Sequence, residues 1–111
     1  MVKKVKSQAK SRAKPKEQAE KLLAKVPEEY VFWCQGGRIF RDMKELAEGL
    51  VAMSDETFAY HSNSQKNDFS EWVRNIIQDE KLASDLAMAI SRAEAAGYVV
   101  ARLDFLTRKL D

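Results

Sequence analysis

Residues 30–40 read YVFWCQGGRIF. The aromatic and β-branched residues at 30–33 fit a pleated strand better than a helix. Gly36 and Gly37 are the only adjacent glycines in the chain, and they supply the positive φ of a tight reversal. Arg38, Ile39 and Phe40 then return as a short second strand, so the stretch predicts a β-hairpin. Strand alternation places Tyr30, Phe32 and Cys34 on one face, and Val31 and Trp33 on the other. Both faces are apolar, which predicts a strand covered on both sides or lying at an interface. Trp33, opposed to Phe32, is the candidate contact with a partner.

Downstream of the hairpin the periodicity changes from strand to helix. Asp42 precedes Met43, Leu46, Ala47 and Leu50, an apolar face at i, i+3, i+4 and i+7. Glu45 stands three residues after Asp42, the spacing of a capping box. Ser54 and Asp55 can cap a short helix that carries Phe58 and His61 on one side, and residues 62–67, SNSQKN, read as a polar loop. Phe69, Trp72, Val73, Ile76 and Ile77 then match the helical template without a miss. Asp68 is expected to cap that helix with Glu71 as its partner. Asp79 opens another helix bearing Leu82, Leu86 and Ile90. Either Ser91 or Gly97 can mark its end. Val99, Leu103, Leu106 and Leu110 form a final stripe. The expected fold is α+β and mostly helical: an N-terminal hairpin followed by four to five short helices.

Upstream, the charge is strongly segregated. Lys3, Lys4, Lys6, Lys10, Arg12, Lys14 and Lys16 occur in the first 16 residues without an acid, whereas residues 17–111 carry 12 basic and 17 acidic groups. A run of like charges with few large apolar groups cannot offset its chain entropy by burial. Residues 1–16 are therefore expected to be a disordered basic arm, residues 17–26 a short helix and linker, and residues 27–111 a single globular domain. Pro15 suits a first helical turn, Glu17 and Lys21 are spaced to pair, and Pro27 stops the segment. The arm reads either as a hook for DNA, RNA, anionic lipid or an acidic protein, or as a solubilising tail. Its Lys, Ala, Ser and Pro content resembles the tails of histone-like and linker-histone proteins in composition only. It lacks the apolar core of a secretory signal, and the arginine content and amphipathicity of a mitochondrial presequence.

Composition closes off several chemistries. The chain has 111 residues, which favours one domain over two. No unbroken apolar run exceeds five residues, against about 20 for a membrane-spanning helix, so no membrane span is expected. The single cysteine, Cys34, excludes an internal disulfide and a multi-thiolate zinc site, and suits a reducing cytoplasm. The single histidine, His61, excludes sites needing two imidazoles. Asp55, Glu56, Asp79, Glu80 and Asp85 lack the spacing of a calcium loop.

The strings EYVFWCQGGRIF, KELAEGLVAMSDETFAYHSN, NDFSEWV and DEKLA, within residues 29–82, resemble a small uncharacterised domain family of archaea and bacteria. Phe58, Tyr60, His61, Asn67, Asp68, Phe69 and Trp72 are the specific part of that likeness. It implies a small, mostly helical module with a leading hairpin. It implies no activity, and no binding residues transfer from it.

Each chemically interesting residue also has a packing role. His61 suits a general base or haem ligand oriented by Asp68 or Asp55, or a ring beside Phe58 that fixes the 62–68 loop. Packing is favoured, because no catalytic constellation is visible. Thiol catalysis by Cys34 with His61 needs the two to meet beside an oxyanion donor; inside an aromatic strand, Cys34 reads as a small buried hydrophobe. Tyr30, Phe32, Trp33, Phe40, Phe58, Tyr60, Phe69 and Trp72 serve either as core or as a platform for bases or a partner chain. No catalytic, metal or cofactor-binding residue is assigned, and no cofactor is expected. The reading is a non-enzymatic binding module that takes up nucleic acid weakly and non-specifically through the arm. The alternative is a protein–protein adaptor using the hairpin or an aromatic or helical face. Homo-oligomerisation is left open.

Overall fold

A computed structural model describes residues 14–111. Among these, six helices accompany one two-stranded antiparallel hairpin, and the fold is α+β and mostly helical. Helix α1 spans Pro15–Leu23, a 3-10 turn spans Glu28–Tyr30, and strands β1 (Phe32–Trp33) and β2 (Ile39–Phe40) form the hairpin. Helices α2 (Met43–Ala52), α3 (Asp55–His61) and α4 (Asp68–Trp72) follow, then a π-type turn (Val73–Ile77), α5 (Glu80–Ala87) and α6 (Arg92–Arg108). No helix among the described residues is long and apolar enough to cross a membrane.

The hairpin pairs Phe32 with Phe40 and Trp33 with Ile39. Gly36 and Gly37 both take positive φ, 98° and 102°, and the Gly37 N–H closes the turn onto the Cys34 carbonyl at 3.0 Å. The strand is shorter than its composition suggests. Tyr30 ends the 3-10 turn that follows Pro27, so the alternation expected from residue 30 begins only at 32. Tyr30 is exposed, Val31 is buried, and beyond it Phe32 and Cys34 are buried while Trp33 is 69% exposed.

Local capping sets the helix starts. The side chains of Asp42, Ser54, Asp79 and Ser91 accept from the N–H groups of Glu45, Thr57, Leu82 and Glu94. Each satisfies a donor that a helix leaves orphaned at its first turn. At Asp42 the return bond runs from the Arg41 N–H to Glu45 at 2.8 Å. Helix α4 departs from expectation: its cap is Asn67, which accepts the Ser70 N–H at 3.0 Å and donates to the Leu86 carbonyl at 3.0 Å. Asp68 is thereby released for another partner. Gly97 does not end a helix; α6 starts at Arg92 after the Ser91 cap and runs through Gly97 for 17 residues.

The core is continuous across these elements. Helix α1, within the stretch expected as arm end and linker, contributes to it, because Ala19 and Leu22 are buried in the same cluster. The most extensive packing joins α2 to α6, and α5 packs on both α4 and α6. Phe40 lies so close to Gly49 of α2 that a β-carbon at 49 would collide with its ring. The Ser70 hydroxyl donates to the Ala83 carbonyl at 2.9 Å in the buried contact between α4 and α5. Arg92 closes the far end of α2, donating to the carbonyls of Leu50 and Val51 and to Asp55. Such capping by a cation complements the negative end of the helix dipole.

Candidate functional site

A buried cluster around His61 and an open groove under α1 both combine polar side chains with shape. The first is built from the last turn of α3, the first turn of α4 and the hairpin turn. His61 is 4% exposed and lies in edge or tilted contact with Phe32, Tyr60 and Phe69. Its Nδ1 is 2.9 Å from Asp68 Oδ2, and its Nε2 accepts the Gln35 backbone N–H at 3.0 Å. The second bond fixes the tautomer: with Nε2 an acceptor, the ring proton is on Nδ1 and is donated to Asp68. Lys66 reaches the same carboxylate at 3.0 Å and lies 4.8 Å from the centre of the Tyr60 ring.

Of the two carboxylates the sequence offers to His61, the structure brings Asp68 to it, but the geometry gives the pair no free base. Nε2, the nitrogen a catalytic pair would offer to substrate, is already occupied by backbone. Cys34 is buried, and its thiol is pushed up by that burial, with the Arg38 charge and a backbone hydrogen bond from Gln35 offsetting only part. A thiol held protonated is a poor nucleophile. What the cluster does is tie three segments together: the hairpin turn through Gln35, the end of α3, and the start of α4. Replacing His61 by glutamine should cost about 1–3 kcal/mol in a urea melt, the scale for losing buried hydrogen bonds. A loss within error of zero would show that the ring bears no tension in this latch.

Asp68 adds a pH dependence of known sign. Its partial burial opposes ionisation, but the hydrogen bonds from His61 and Lys66 and the Lys66 charge outweigh that and hold its carboxyl below the usual range. A depressed carboxyl pKa stabilises the fold above the unfolded value of about 3.9 and loses that contribution as pH falls through the folded value. Asp68→Asn should therefore flatten the stability profile below about pH 4. An unchanged acid limb in the variant would exclude Asp68 as a contributor.

The groove has a volume of about 420 Å³ and runs between α1 and the π-type turn. Lys14, Gln18, Lys21 and Lys25 line one side, with Glu17 beside them; Ile76, Ile77 and Gln78 line the other, and Leu22, Val26 and Pro27 lie between. Gln78 takes a left-handed conformation, φ 72°, where the π-type turn ends. Glu17 and Lys21 do not form the expected ion pair among the described residues; both face the groove instead. Lys25 is held by Asp42 at 3.2 Å.

Of the seven arm residues singled out by sequence, Lys14 and Lys16 are described and exposed. Lys3, Lys4, Lys6, Lys10 and Arg12 lie outside the described residues. Trp33 is exposed on the hairpin. The sequence reading missed Lys21 and Gln78 as groove residues. The spacing of Gln18 to Lys21, three residues along one helix, was the available signal, since it returns a side chain to the same face. Among the described residues no three His, Cys, Asp or Glu side chains converge as a metal cluster would require. No protein family, curated protein or solved structure matches the chain, so the likeness of residues 29–82 to an uncharacterised family stands as a resemblance alone.

Proposed function

We propose that the protein is a non-enzymatic module that binds nucleic acid weakly and without sequence preference through its Lys-rich N-terminal arm. The observation that carries this reading is the charge split: seven cations and no acid in residues 1–16, against an excess of five acids in residues 17–111. A net negative domain opposes phosphate overall, so the arm is the main source of attraction. The His61 cluster supports the non-enzymatic half, because both imidazole nitrogens are committed inside the fold.

Four to seven phosphate contacts, each contributing about −0.9, give a slope of log K against log salt of about −4 to −6. A titration of the full chain with duplex DNA and RNA at about 50 mM salt should show this binding, since screening is weak there. The truncation is best placed after Ala13, because α1 begins at Pro15 and its Ala19 and Leu22 belong to the core. Removing residues 1–13 should abolish duplex binding and leave the melting curve unchanged. No binding by the full chain, or equal binding after truncation, rejects the arm. The adaptor reading then takes its place, supported by Trp33 at 69% exposure on the hairpin face opposite Phe32.

A further inference from the structure

We infer that the groove between α1 and the π-type turn seats a single nucleic-acid strand, so that the protein prefers single strands to duplexes. This rests on the arm reading and extends it. The groove has a basic side and an apolar side. Gln18 and Lys21 stand three residues apart on one face of α1, and Lys14, which immediately precedes the helix, lines the same groove. At 1.5 Å rise per residue, Lys14 and Lys21 are about 10 Å apart along the axis.

Val26 and Ile76, both half-buried, offer the groove a small apolar surface, and the exposed Gln78 adds an amide to its lining. A duplex keeps its base faces stacked inside and can show such a groove only phosphate. A single strand has unpaired base faces that can lie against Val26 and Ile76 while its phosphates face the lysines. The volume of about 420 Å³ lies in the range of pockets that hold one small ligand, which suits one nucleotide at a time.

The charges are not all favourable. Glu17 opposes an incoming phosphate, and Lys25 is shared with Asp42. Within the groove, the attraction therefore rests on Lys14 and Lys21, neither of which forms an ion pair among the described residues. The test uses fluorescence anisotropy of the full chain with a labelled 12-nucleotide oligothymidylate and a labelled 12-base-pair duplex, in low salt. Circular dichroism checks that each variant remains folded; Lys21 and Glu17 are both exposed.

The single strand should bind more tightly than the duplex. Lys21→Glu should weaken single-strand binding about five- to tenfold and duplex binding less than about twofold, because only the single strand enters the groove. Glu17→Gln should strengthen single-strand binding about two- to threefold by removing a partly screened repulsion. Equal affinity for the two probes, or a Lys21→Glu loss of the same size on both, overturns the groove and leaves the arm reading standing. No binding of either probe overturns both.

Discussion

Truncating Trp72 to alanine should cost about 3–5 kcal/mol, the usual range for deleting a buried aromatic side chain. The indole is 8% exposed and meets the Phe32 ring edge-on at 5.7 Å between centroids. Its Nε1–H donates to the Tyr30 carbonyl at 2.8 Å, across 42 residues of chain. Trp72 thus joins α4 to the 3-10 turn that leads into the hairpin, and alanine removes both the packing and the donor. Trp72→Phe separates the two: it keeps most of the apolar volume and gives up the hydrogen bond, which should cost about 1–2 kcal/mol plus any loss from the smaller ring. The check is a urea melt of both variants at constant m-value. A loss below about 1 kcal/mol for Trp72→Ala would mean that the side chain is not part of the core.

Packing around Trp72 also explains why the aromatic residues divide as they do. Phe32 stacks on Phe40 and on Phe69, and Phe58 stacks on Phe69 in turn. A small domain gains more burial per residue from aromatic rings than from aliphatic ones, so these positions go to the interior. Trp33 is excluded because strand alternation turns it away from Phe32. Its exposure follows from the same rule that buries its neighbour.

What was legible in the sequence was local. Caps at Asp42, Ser54, Asp79 and Ser91 depend on a side chain and an N–H three residues on, and such short spacings survive in one dimension. The hairpin turn was legible for the same reason, since only glycine takes its backbone angles readily. The error at Asp68 shows where this logic ends. Asn67 and Asp68 are both good caps, and the choice between them is made by His61 and Lys66, which need the carboxylate. The π-type turn was hidden too. Phe69, Trp72, Val73, Ile76 and Ile77 fit an ordinary helix, yet the Gln78 N–H bonds to the Val73 carbonyl at 2.7 Å, five residues back. The wider turn leaves Ile77 in the core and Ile76 only half-buried at the groove. Ion pairs between elements left no sequence signal, because their partners share no periodic spacing.

The pair of Asp79 and Arg102 is the leading case, and breaking it should produce the second large effect. Asp79 is 2% exposed and performs two tasks. Its Oδ1 accepts the Leu82 N–H at 3.1 Å at the start of α5, and its two oxygens receive Arg102 Nε at 2.8 Å and Nη2 at 3.1 Å. Arg102 lies on α6 with its guanidinium 5.2 Å from the centre of the Phe105 ring, so the bond fastens α5 to α6. Removing one member of a buried pair leaves the other charge without compensation, a cost of about 3–5 kcal/mol. The Arg102 side chain is 18% exposed and can reach some water, which places the expected loss for Asp79→Ala near the low end, about 3 kcal/mol, including about 1 kcal/mol for the lost cap. Asp79→Asn keeps a capping oxygen and loses the charge, so it should fall about midway. Arg102→Met with Asp79→Ala completes a double-mutant cycle. The two losses should be strongly non-additive, because once either partner is gone the other has nothing left to hold. Additive losses in urea melts would show that Asp79 acts only as the cap of α5, and that α6 is held by its apolar face alone.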